Sequence, residues 1–148
     1  MPFTPFHLGP TLLIGLLLFS FLNLFSFLVA SVIVDLEPFY LMTQHVPYLH
    51  GFFHSYLGAS ILAIPLAIGT YSLRGWLEKI LEQFLIKQRS SFSKILFSSL
   101  LGAYSHVFLD SFLYGEMKPF SPLEFNPFLN LVSASTVYGF CGISFLWE

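Results

Sequence analysis

Charge is what this sequence has least of. Only 9% of its 148 residues are Asp, Glu, Lys or Arg, against about 25% in soluble domains, while 55% are hydrophobic and 19% aromatic. That balance argues against a soluble globular domain and for one integral membrane domain over residues 1–148. Cysteine is nearly absent too, and the single Cys141 rules out an intramolecular disulfide framework. Cations are missing from most of the chain. Arg74, Lys79, Lys87, Arg89 and Lys94 share one segment and only Lys118 lies elsewhere, so no basic patch for nucleic acid is formed. The N-terminus lacks the basic stretch of a signal peptide, and its apolar run exceeds the usual 7 to 15 residues, so it is expected to be retained. No internal repeat or low-complexity tract is evident.

What remains is apolar segments and the breaks between them. Residues 8 to 34, "LGPTLLIGLLLFSFLNLFSFLVASVIV", run almost unbroken to Asp35 and Glu37, with Asn23 as the one strongly polar interruption. By length this is one tilted membrane helix or a tight hairpin of two. "GFFHSYLGASILAIPLAIGTYSL", from Gly51 to Leu73, is long enough to span, with a kink expected at Pro65. Further spans are expected from Phe92 to Tyr114 and from Phe128 to Trp147, separated by the Pro-rich loop "GEMKPFSPLEFNP".

Between Arg74 and Lys94, Trp76, Leu77, Ile80, Leu81, Phe84 and Leu85 recur at three and four among charged residues. That pattern suits an amphipathic helix in the membrane interface. The expected fold is all-α, a polytopic membrane bundle of about five transmembrane or half-spanning helices. The positive-inside rule puts residues 74–94 on the cytoplasmic face of the cell (inner or plasma) membrane, and His50, His54, Asp110 and the 115–126 loop on the extracytoplasmic side.

Ionisable groups inside membrane segments are costly, by roughly 2.5–3.5 kcal/mol on insertion scales, and point to function. His50 and His54 are four residues apart, as are His106 and Asp110, so each pair would share one helix face. Small residues continue each face, with Gly58 on one and Ser98 and Gly102 on the other, and are expected to bring the two helices together. Imidazole and carboxylate meeting at one depth suit a divalent metal, zinc first, with manganese or iron as alternatives. His7 tests the geometry. A straight helix would hold it about 42 Å from Asp35, at 1.5 Å per residue, whereas a hairpin turning near Asn23 brings the two within about 6 Å in height. A metal site therefore predicts a helical hairpin in the first 40 residues.

Taken together, "MPFTPFHLGP", "ASVIVDLEPF", "HGFFHS" and "GAYSHVFLDSFLYG…KPFSP" resemble the membrane-bound metal-dependent hydrolase family, the YdjM-like, LexA-regulated inner-membrane hydrolases, in a form that looks archaeal. The resemblance covers nearly the whole chain and picks out His7, Asp35, Glu37, His50, His54, His106 and Asp110 as metal ligands. Val34 stands where the family has Pro, Glu37 where it has a second Asp, and Phe53 where it has Thr. The segment between His50 and His54 is one residue shorter and lacks the family's Arg, a cation suited to an anionic substrate group.

Seven ligands exceed the need of one tetrahedral ion, so one or two ions with a metal-activated water are expected. Hydrolysis of an ester or phosphoester in a lipid or other amphiphile follows, with Asp35 and Glu37 as catalytic carboxylates and Glu37 as the candidate base. Two readings compete: a metal-handling transporter, and a structural or regulatory membrane protein whose polar cluster pins helices. The bilayer is the expected partner, nucleic acid is not, and homo-oligomerisation is left open.

Overall fold

The computed structural model describes residues 5–146; Met1–Thr4, which begin the first motif, and Trp147, the expected end of the last span, lie outside the described residues. Those residues form seven α-helices and a short 3-10 turn, with no strand. They are α1 (Pro5–Leu17), α2 (Leu24–Ile33), α3 (Leu36–Thr43), the 3-10 turn Phe52–His54, α4 (Tyr56–Ser72), α5 (Arg74–Gln83), α6 (Phe92–Ser111) and α7 (Ala134–Leu146).

Residues 5–33 are indeed a hairpin, with α1 packed on α2. Asn23 starts its second arm: its side chain accepts the Ser26 N–H at 2.9 Å and so caps α2. The turn is held from a distant part of the chain. The Gln88 side chain donates to the carbonyls of Phe19 and Leu22 and accepts from Leu24 N, while Lys94 Nζ donates to Ser20 O and Asn23 Nδ2 to Ser90 Oγ. These bonds satisfy backbone groups that a helix break leaves open. They also place the hairpin turn and the start of α6 at one end of the bundle.

Helices α2, α4 and α6 form the centre, with Ala30, Val34, Ala59, Ala63, Ala103 and Val107 in one buried cluster. α4 and α6 do pack together as expected, but the two glycines do not meet across that contact. A Cβ on Gly102 would strike the Phe27 carbonyl of α2, and one on Gly58 the Phe52 carbonyl of its own 3-10 turn. The buried residues of α4 are Gly58, Ala59, Ala63, Ala67 and Thr70. α1 packs between α2 and α7, where Gly9 lies against Cys141 O and the Phe145 ring.

Two helical stretches, Leu24–Thr43 and Phe92–Ser111, are long and apolar enough to cross a membrane, and α4 with α5 makes a third only if that bent pair counts as one span. α1 and α7, 13 residues each, fall short of the roughly 20 residues required. α4 runs through Pro65, and the marked bend, 78°, comes at Leu73 where α5 turns aside. α5 buries no residue and leaves Trp76 largely exposed, as an interfacial helix would. The last helix starts later than expected. Asn126 Oδ1 accepts from Phe128 N and Asn130 takes a φ of 60°, so residues 127–133 remain turns.

Candidate metal centre

At the end of the bundle away from the hairpin turn, four elements deliver ionisable side chains to one point. His106 and Asp110, one turn apart on α6, share a face as their spacing requires, with Nε2 3.3 Å from Oδ2. Asp35 lies at the break between α2 and α3. Its carboxylate makes no cap hydrogen bond and lies 3.4 Å from His106 Nε2 and 3.9 Å from His54 Nε2. One ligand atom from each of Asp35, His54, His106 and Asp110 falls within 4.8 Å of the others. This buried group could hold a metal ion.

His54 arrives by a route that helical spacing does not foresee. His50 and His54 do not share an α-helix: residues 52–54 form the 3-10 turn, Ser55 is extended, and its side chain caps α4 by accepting from Gly58 N. The cause is Glu37. Its carboxylate accepts the backbone N–H groups of Gly51, Phe53 and His54 at 3.1, 3.1 and 3.2 Å and His54 Nδ1 at 2.8 Å. An anion that gathers three amides this way fixes the turn around itself. Gly51 is required there, since any Cβ would stand 2.6 Å from Glu37 Oε1.

Those partners decide which nitrogen each ring presents. The Ser31 carbonyl, among the last four of α2, is 2.7 Å from His106 Nδ1; a carbonyl only accepts, so Nδ1 carries a proton and Nε2 is the nitrogen left to offer a metal. His54 Nδ1 donates likewise to Glu37. The Nε2 atoms of His54 and His106 are buried without a hydrogen-bond partner and face the two aspartates. Buried polar atoms rarely go unpaired, and imidazoles oriented through Nδ1 by a carboxylate or carbonyl are the usual supporting arrangement around a metal.

No family model, curated protein or solved structure matches the chain. The case for the site rests on its own geometry.

Of the seven residues expected as ligands, all converge on this end but not in one role. His7 is buried, with Nε2 3.1 Å from Asp110 Oδ1 and its ring 4.2 Å from that of His106. His50 reaches Asp110 Oδ2 at 3.9 Å and stacks on Tyr114 at 3.9 Å. Glu37 stands outside the group of four. Asp35 and Glu37 meet opposite nitrogens of one ring, Asp35 3.9 Å from His54 Nε2 and Glu37 2.8 Å from His54 Nδ1, so Glu37 orients His54 from outside the group.

Glu116, outside the seven expected ligands, also reaches this end of the bundle. Its Oε1 lies 2.9 Å from His50 Nδ1. Only the fold reveals this pair, 66 residues apart. Burial pushes His50 below the usual imidazole value, with the nearby His54 adding to it against the pull of Glu116. Burial pushes Glu116 up, but its hydrogen bond with His50, a backbone hydrogen bond and the nearby His50 and His54 together hold it below the usual carboxylate value. A neutral His50 donating to an ionised Glu116 follows at neutral pH. Both line a cleft of about 500 Å³ with Tyr48, Gly51, Phe52, Lys118 and Ser121, which makes His50 the boundary between the cleft and the buried group.

Proposed function

We propose that the chain is a membrane-embedded, divalent-metal-dependent hydrolase acting on an ester or phosphoester of a lipid or amphiphile. The observation that carries the reading is the pair of buried Nε2 atoms on His54 and His106, held toward Asp35 and Asp110 by Glu37 and the Ser31 carbonyl. Two imidazoles and two carboxylates suit a four-coordinate zinc, with manganese or iron as alternatives. Asp110 supports a second ion, since its other oxygen faces His7 and His50 lies on the cleft side. The ion would supply a water acidic enough to ionise near neutral pH.

The chain's own residues then have distinct tasks. His50 and Glu116, facing the cleft, would take the proton from water and return it to the departing alkoxide oxygen once the bond to carbon or phosphorus breaks. Glu37 positions His54 and is not the base. An amphiphile is favoured by the surroundings: Phe39, Tyr48 and Phe52 are exposed near the site, and an apolar groove of about 360 Å³ passes Leu8 and Leu36, chain neighbours of His7 and Asp35. The resemblance to the membrane-bound metal-dependent hydrolases, with residues 74–94 cytoplasmic and the site extracytoplasmic, belongs to the same proposal.

The test is metal analysis of the full chain purified in detergent, followed by hydrolysis of p-nitrophenyl acetate and bis-p-nitrophenyl phosphate. Chelator-sensitive turnover that disappears in His106→Ala supports the reading. A protein that retains no transition metal and hydrolyses neither substrate overturns it, and metal flux in proteoliposomes would point to transport.

A further inference from the structure

Five of the six basic residues lie between Arg74 and Lys94, at or near the hairpin-turn end; Lys118 alone lines the cleft above His50. Its backbone is fixed rather than loose. Met117 and Pro119 on either side are fully buried, Pro119 O accepts from Tyr56 N at the start of α4, and Lys118 O accepts from Ser121 N. The ammonium is therefore presented from an anchored turn. It already holds an anion, the Glu124 carboxylate at 2.7 Å, on a side chain that is 79% exposed. A long exposed side chain is a weak partner, and an incoming anion with more oxygens can displace it.

From this we infer that Lys118, with Ser121 lining the same cleft, forms an anion subsite, and that the substrate carries a phosphate group, whose oxygens offer several strong acceptors to an ammonium. Lys118 supplies the cation that the short segment between His50 and His54 does not. Glu116 is bonded to His50 and not to Lys118, so it does not occupy the ammonium. The inference rests on the hydrolase reading and narrows it to phosphoesters. Lys118 is a specificity residue and Glu124 its resting counter-ion.

The experiment is calorimetric titration of inorganic phosphate, and separately of dihexanoyl phosphatidic acid, into the zinc-loaded full chain in dodecyl maltoside, a detergent without phosphorus. Lys118→Met should weaken phosphate about three- to tenfold, Lys118→Arg should restore it, and Glu124→Gln should strengthen it. Tighter binding of the lipid phosphate than of free phosphate assigns the subsite to an amphiphile, and equal binding to a soluble phosphoester; both support the subsite. Zinc binding that persists while Lys118→Met binds phosphate like the parent chain overturns the subsite and leaves the hydrolase reading standing. The same holds if phosphate fails to bind at all. Failure to bind zinc removes both.

Discussion

Replacing Glu37 by Gln changes one atom and separates a positioning role from a ligand role. Oε2 accepts from Gly51 N, His54 N and His54 Nδ1, and Oε1 from Phe53 N. The amide can keep its oxygen on the more heavily used side, and its NH2 then meets the Phe53 N–H donor to donor. One amide is left without an acceptor, at about 1–3 kcal/mol where water is excluded, and the bond to His54 Nδ1 loses its charge, roughly halving its strength. The Glu37 side chain is only 10% exposed, so water replaces little of this. His54 is then freed to turn, and zinc affinity should fall about 10- to 100-fold, the range for outer partners of metal-bound imidazole. That is about 1.4–2.7 kcal/mol, which matches the hydrogen bonds lost. Competition with a fluorescent zinc chelator measures it in the purified chain. An unchanged zinc affinity with a folded His54 turn would show that the Glu37–His54 bond does not orient a ligand.

Direct removal of a ligand should cost more: His106→Ala is expected to lower zinc affinity by more than about 100-fold, the upper limit for a merely orienting residue, as read by the same competition. Acid should release the metal, because His54 and His106 must be neutral to bind. Zinc affinity should therefore fall as pH is lowered, because protons compete for the same nitrogens, and a pH series of zinc titrations checks it. At the opposite end, Gln88→Ala strips partners from Phe19 O, Leu22 O and Leu24 N. It should destabilise the chain by about 1–3 kcal/mol and speed amide exchange at residues 18–24, with little change in zinc affinity. Gly102→Val forces a side chain against the Phe27 carbonyl; thermal unfolding should show a loss of about 1–3 kcal/mol from overpacking.

The helical class, the apolar segments and the amphipathic 74–83 stretch are legible in the sequence because they depend on composition and on a period of 3.6 residues. So is the His106–Asp110 face, since a four-residue spacing within one helix leaves little to tertiary choice. The hairpin follows from the sequence only through the demand that His7 and Asp35 meet, and the structure supplies its mechanism in the contacts of Gln88 and Asn23. His50 and His54 mislead for a clear reason. Their spacing implies a helix, but the Glu37 carboxylate captures the amides between them and folds a 3-10 turn, a long-range contact that no local period encodes. The same holds for the pairing of Gly102 with α2, for Glu116 beside His50 and for the lone cation over the cleft. The sequence by itself determined which residue types would gather at one end of an apolar bundle. Only the tertiary structure decided which atoms face inward, because the proton on each imidazole is placed by a partner from another helix.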